Sequence, residues 1–243
     1  MVTKNQIKLV TSLQQKKYRN QHGLFVVEGL KTVREIIDSG IKPYAILVDQ
    51  KNLEIISGVQ TSYVSSSALK QMSSQSSPSG ILGVFHMPER TEPKIENWVV
   101  MLDAVRDPGN LGTIIRLCDW FDFKHVICSK DTVDCFNPKV LQATMGSVAR
   151  VNVHYVDLVD FLEKNCSVPI IGSFMDGKPV YEEDFSEKGI LVMGNEANGI
   201  SAEIKAKVTT SVGIPQFGKA TTESLNVASA TAILLNEIRR GQP

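Results

Sequence analysis

Apolar residues fall along this chain in two patterns, short uninterrupted runs and stretches where they recur every three or four positions. Leu24-Phe25-Val26-Val27 is such a run and predicts a strand. After Glu28-Gly29, the residues Leu30, Val33, Ile36 and Ile37 share one face of a helix, and Gly40 is placed to close it. Tyr44 to Val48, Val59 to Val64 and Ile81 to Phe85 predict three further strands. The Ser-rich stretch Ser65 to Gly80 looks like a linker, but an apolar strand follows it. It therefore reads as a helix and an exposed loop inside one domain.

Pro88 to Asn97, with two prolines and mixed charges between apolar strands, marks a domain boundary. The division is residues 1–92 and 93–243. Trp98-Val99-Val100-Met101-Leu102 is apolar throughout, as a strand covered on both faces of a parallel sheet requires. His125 to Cys128, Val168 to Gly172, Ile190 to Met193 and Val212 to Ile214 predict more strands, with helices between them. Asn137-Pro138 is a helix start, and a last helix spans about Ser224 to Arg239. The pattern is α/β, with a parallel sheet in the second half and a smaller α/β domain before it.

Three of the predicted strands run into polar loops, where ligand sites form in open α/β sheets. The first loop is Asp107-Pro108-Gly109-Asn110-Leu111-Gly112, with Arg116 about one turn inside the following helix. It reads as an anion or polar-edge site at a helix N-terminus, or as a tight turn whose arginine makes a surface ion pair. The second is Gly194-Asn195-Glu196-Ala197-Asn198-Gly199. Its glycine spacing imitates a phosphate-binding loop, but Ile200 stands where the lysine must be, so a nucleotide triphosphatase is not supported. Glu196 suits neutral or cationic ligand groups, or complements the dipole of the next helix. The third runs from Ile214-Pro215 to Ser224-Leu225-Asn226-Val227, with Ser224 placed to cap the last helix.

Composition narrows the class. Lys plus Arg and Asp plus Glu are both 26, so global charge does not point to nucleic acid. The first 35 residues, however, hold seven basic and two acidic residues, a local charge of plus five. Lys16-Lys17-Tyr18-Arg19 sets an aromatic among cations, which fits phosphate contact plus base stacking in RNA, or simply a solvated helix face. Cys118, Cys128, Cys135 and Cys166 lie in or beside apolar runs without C-x-x-C spacing. They read as reduced, mostly buried thiols, and no metal site is expected. The four histidines have no motif context, and no G-x-S-x-G elbow appears. The N-terminus lacks an apolar signal core and no run is long enough to span a membrane, so a cytoplasmic protein is expected.

In order and spacing the three loops resemble the SpoU (TrmH-like) family of RNA ribose 2′-O-methyltransferases, within the SPOUT superfamily. Asn110, Gly112 and Arg116 match N-x-G-x-x-x-R. Gly194, Glu196 and Gly199 match G-x-E-x-x-G, and Ile214, Pro215, Ser224, Leu225, Asn226 and Val227 match I-P followed by S-L-N-V. Lys16-Lys17-Tyr18-Arg19 with Phe25 to Gly29 is similar to the family's L30e-like substrate-binding domain. Ala197 and Asp122 stand where many members have glycine.

The resemblance implies a parallel-sheet SPOUT domain threaded as a trefoil knot, a homodimer, and S-adenosylmethionine as cofactor. It implies cofactor contacts from Ser173, Gly194, Asn195, Gly199, Ile214 and Leu225. Arg116 would be the main catalytic residue, with Asn110, Glu196, Ser224 and Asn226 shaping the site, and Lys16, Lys17, Tyr18 and Arg19 would meet RNA. Ribosomal RNA is favoured as substrate. A transfer-RNA ribose methyltransferase, a base-directed relative and a non-catalytic RNA-binding protein are the alternatives. A Rossmann-type methyltransferase is disfavoured because no G-x-G-x-G-like loop follows the first strand of either half.

Overall fold

The computed structural model describes residues 2–49, 59–89, 93, 95–218 and 223–240. Part of the boundary predicted at Pro88 to Asn97, residues 90–92 and 94, lies outside them. The chain forms two compact units, one of Met1–Arg90 with Asp134–Arg150 and one of Thr91–Val133 with Val151–Pro243.

The first unit opens with α1 (Lys4–Ser12), whose N-terminus Thr3 and Gln6 close reciprocally as a capping box. Then follow α2 (Lys16–His22), β1 (Leu24–Glu28), α3 (Leu30–Asp38), β2 (Pro43–Val48), β3 (Thr61–Tyr63), α4 (Ser66–Met72) and β4 (Ile81–His86). The sheet order is β1-β4-β2-β3, with β4 antiparallel to β1 and β2, and β2 parallel to β3. The Ser-rich stretch is indeed a helix and loop, gathered by Glu28, whose carboxylate accepts from Ser73 and from the amide and hydroxyl of Ser74.

The second unit begins with β5 (Val99–Leu102), α5 (Pro108–Trp120) and β6 (His125–Cys128). After Val133 the chain enters the first unit for residues 134–150, which include α6 (Pro138–Thr144). There α6 packs on β1, and the Phe136 ring lies 4.7 Å from that of Phe25. Back in the second unit come β7 (Asn152–Tyr155), α7 (Leu158–Lys164), β8 (Ile170–Pro179), β9 (Ile190–Met193), α8 (Ala202–Lys205), β10 (Thr210–Gly213) and α9 (Val227–Arg240).

The six strands among the described residues of this unit are all parallel, in the order β10-β8-β9-β5-β6-β7. From β5 the chain builds outward through β6 to β7, then crosses to build β8, β9 and β10 on the other side. β5 and β9 are fully buried neighbours, as their apolar runs demand. The order therefore reverses between them, at their carboxyl ends.

Three expectations change. β7 is a strand that the apolar pattern does not predict, because it is an edge strand with one buried residue among Asn152, Val153, His154 and Tyr155. β8 is longer than Val168 to Gly172. Its pairing with β10 shifts between Ser211 and Val212, leaving residues 173–177 as an unpaired excursion. The last helix starts at Val227 rather than Ser224.

Candidate active site

The first loop leaves β5 through Asp103 and Ala104. Ala104 is in the left-handed region at φ 59°, a strained conformation for a residue with a Cβ. It is held on both sides. Its N–H donates to the Ser129 hydroxyl at 2.9 Å, and its carbonyl accepts from Asn195 Nδ2 at 2.7 Å. Ser129 in turn donates to Asp131, which with Arg106 keeps that carboxyl below the usual aspartate range. Asp107 then caps α5, accepting from the Asn110 N–H at 2.8 Å, with Pro108 in the first turn. The helix begins there, so Arg116 lies in its third turn, deeper than predicted from the sequence.

The second loop is a tight reversal. Asn195 and Gly199 exchange two backbone hydrogen bonds, at 2.9 and 2.8 Å. A Cβ on Gly194 would sit 2.2 Å from the Gly199 carbonyl carbon, so the loop folds directly over a position that must be glycine. Gly199 has φ +66°, which makes the turn cheap only without a side chain. Asn195 Oδ1 accepts from the N–H groups of Ala197 and Asn198, and Asp103 Oδ2 accepts from that of Ser201 at 2.8 Å. The first two loops are thus fastened to each other.

The third loop ends in a cap, but the cap is not Ser224. Asn226 Oδ1 accepts from the N–H groups of Ala228 and Ser229, at 2.9 and 3.2 Å, leaving Ser224 exposed ahead of the helix. The Asn226 side chain also reaches the first loop. Its Nδ2 donates to Asn110 Oδ1 at 2.9 Å, and Asn110 Nδ2 donates to Glu196 Oε1 at 2.6 Å. One polar residue from each loop therefore joins a single chain of hydrogen bonds.

Beside this chain lies a cavity of about 510 Å³, within the size range of small-molecule sites. Ser173, Gly194, Asn195, Gly199, Ile214 and Leu225 all line it, together with Glu196 and Ser224. Asn110, Asn226 and Arg116 do not. Arg116 is exposed on α5 and makes no hydrogen bond or ion pair with a described residue. Sequence reasoning passes over Met175, Gln216 and Glu223, which also line the cavity. Gln216 directly follows the Ile214-Pro215 signal. Met175 lies in the excursion of β8, which no periodicity reveals.

The basic cluster divides. Lys16 and Lys17 are exposed on α2, with the Lys17 ammonium 5.8 Å from the Tyr18 ring centroid. Arg19 does not belong with them as a surface contact for RNA. It is 2% exposed, paired to Asp134 at 2.5 Å, and donates to the carbonyls of Leu13 and Gln14. Its guanidinium is consumed inside the first unit, tying the turn between α1 and α2 to the 134–150 segment. Among the described residues no group of three or more His, Cys, Asp or Glu could hold a metal ion.

Comparison with known proteins bears on both units. Residues 97–236 match the SpoU rRNA Methylase family, and residues 4–83 match the MRM3-like substrate binding domain. The chain is 34% identical to the 23S rRNA (guanosine(2553)-2′-O)-methyltransferase RlmP of Bacillus subtilis, over 97% of each chain. Its fold is similar to a TrmH-family protein from Porphyromonas gingivalis, with TM-score 0.91, 39% identity and 99% of both chains covered. It is also similar to an AdoMet-bound rRNA methyltransferase from Sinorhizobium meliloti, with TM-score 0.87, 30% identity, and 100% of this chain and 97% of that one covered.

Proposed function

The chain belongs to the SpoU rRNA methylase family, and from that premise we propose that it methylates a ribose 2′-hydroxyl of ribosomal RNA with S-adenosylmethionine. The observation that carries this reading is the convergence of three strand-end loops on one cavity, joined by the Asn226–Asn110–Glu196 hydrogen bonds.

The cavity fits the cofactor. Ile200, Ile214, Leu225 and Val227 offer apolar walls for a flat purine, and the bare backbone at Gly194 allows close approach. Glu196 brings a carboxylate suited to a cationic or hydroxyl donor. When bound, the cofactor supplies a methyl group already activated on a sulfonium.

The chain's own residues then have to align acceptor and donor, exclude water and stabilise the hydroxyl as it loses its proton. Alignment alone supplies several kcal/mol, on the order of 7–11 in favourable cases. Arg116 is an exposed guanidinium with no partner among the described residues, and arginine does not readily give up its proton. Its role is to hold the RNA phosphate and to stabilise developing negative charge on the 2′-oxygen. Asn110, Glu196, Ser224 and Asn226 shape the site, and Ser173, Gly194, Asn195, Gly199, Ile214 and Leu225 line the cofactor's place.

The exposed Lys16 and Lys17, with the half-buried Tyr18 beside them, are the RNA contacts of the first unit, which in this reading is an L30e-like domain. The second unit is a SPOUT domain whose C-terminal part threads a trefoil knot, a reading supported by the return of α9 against α5. It works as a homodimer in the cytoplasm. Exposed Trp120 and Ile233, on these two packed helices, support an interface with a second copy.

Titration calorimetry with S-adenosylmethionine tests the cavity. Saturable binding, weakened at least tenfold by Gly194→Val, is the expected result. An absence of saturable heat would remove the cofactor assignment.

A further inference from the structure

We propose that Asn226 and Asn110 form a one-way relay that fixes Glu196 as a hydrogen-bond acceptor at the edge of the cavity. The proposal deepens the methyl-transfer reading and rests on it for the purpose of the relay, though not for its existence. It makes Asn226 and Asn110 positioning residues and Glu196 the group positioned.

The direction follows from which groups can only donate or only accept. Backbone N–H groups can only donate, so Ala228 and Ser229 fix Asn226 with its Oδ1 turned to the helix and its Nδ2 turned away. The asparagine amide is ambiguous in isolation, but here the cap decides its orientation. Asn226 Nδ2 then donates at 2.9 Å, so Asn110 must present Oδ1 to it. The remaining Nδ2 of Asn110 donates at 2.6 Å to Glu196, which in its ionised form can only accept.

Turning over either amide would set donor against donor or acceptor against acceptor. The other oxygen of Glu196 accepts from no described residue, and the side chain lines the cavity. A helix N-terminus thereby sets the hydrogen-bonding state of a carboxylate two loops away.

Other charged groups stand on the elements that meet here. Asp103 and Asp107 are bound to the Ser201 and Asn110 N–H groups, and Arg106 pairs with Asp131. Glu223 lines the cavity and Arg116 lies on α5. All of these are retained in the test variants, so a change in pH response is read against the wild type.

Two isosteric substitutions separate this relay from mere packing. In Asn110→Asp the middle residue has no donor unless it is protonated, and two carboxylates at hydrogen-bond distance share one proton. Protonation of the introduced carboxyl restores the donor to Glu196. Asn226→Asp keeps the cap but presents an acceptor to Asn110, which turns over and shows its carbonyl to Glu196. Only protonation of the introduced carboxyl would restore the donor to Asn110, and the helix N-terminus it caps keeps that carboxyl ionised at the pH values where Asn110→Asp recovers.

The experiment is a carboxyl titration of the cofactor-free protein by carbon-13 NMR, followed by methyl transfer to rRNA between about pH 5.5 and 8.5. In Asn110→Asp the expected result is a carboxyl titrating at least about one pH unit above the ordinary glutamate value of about 4.3. Its methyl transfer relative to wild type should rise at least tenfold from the alkaline to the acid end. Asn226→Asp should lose activity at least tenfold without acid recovery.

An Asn110→Asp protein with ordinary carboxyl titration and a flat activity ratio would overturn the relay. Acid recovery in Asn226→Asp equal to that in Asn110→Asp would overturn its direction. An inactive wild type would refute the methyl-transfer reading instead, while the titration would still judge the relay.

Discussion

Arg19 and Arg116 place the same guanidinium in opposite settings. Arg19 is buried, paired to Asp134 through Nε and Nη2 and bonded to two carbonyls through Nη1, and these four hydrogen bonds all lie within the first unit. Arg116 stands on α5 of the second unit, exposed and without a bonded partner among the described residues. The family resemblance implies a functional role for both, Arg116 in catalysis and Arg19 in contact with RNA. What separates them is desolvation, since a buried charge persists only when fully paired, whereas an exposed unpaired one keeps its charge for a ligand.

The sharpest break of this comparison removes each arginine in turn. Arg19→Ala leaves Asp134, itself 9% exposed, as an uncompensated buried carboxylate. Loss of one partner of such a pair costs about 3–5 kcal/mol, so urea unfolding should show a loss of that size. Arg116→Ala should leave the urea midpoint and S-adenosylmethionine affinity nearly unchanged. Methyl transfer should fall about 10²–10³-fold, as for loss of one group that stabilises developing charge. An exchange of these two outcomes would reverse the assignment of the two arginines.

A smaller effect sharpens the contrast between polar groups kept for structure and those kept for ligands. His125 Nδ1 and His154 Nε2 lie 3.0 Å apart across β6 and β7. Burial pushes the His125 imidazole below the ordinary histidine value, with Glu96 opposing. A histidine with a lowered folded value binds its proton more weakly in the fold than in the unfolded chain. Its contribution is therefore present above about pH 6.5 and is lost as pH falls through the folded value. The unfolding midpoint should drop between pH 7.5 and 5.5, and His125→Gln should flatten that dependence.

The smallest effect concerns Asp122. It follows α5 at φ +60°, and its carbonyl accepts from Arg239. Asp122→Gly should relieve the left-handed strain and stabilise the second unit by about 0.5–1 kcal/mol, with methyl transfer unchanged.

Legibility in the sequence follows physical cause. β5, β6 and β9 are visible there because central parallel strands must be apolar on both faces. β7 is hidden because an edge strand needs no such run. Gly194 and Gly199 are visible as a motif, and the reasons for them, a close backbone approach and a positive φ, are local. The bonds among Asn226, Asn110 and Glu196 join positions 116 and 86 residues apart, so no local pattern can show them. Arg19 reads wrongly as an RNA contact for the same reason. Its partner lies 115 residues away, in a segment that leaves the second unit to complete the first.

The most direct test of the central claim is mass spectrometry of nuclease-digested rRNA after incubation with this protein and S-adenosylmethionine. The expected result is a nucleoside carrying the added methyl on its ribose, formed by the wild type and not by Arg116→Ala. A methyl found on the base, or equal methylation by Arg116→Ala, would contradict the account.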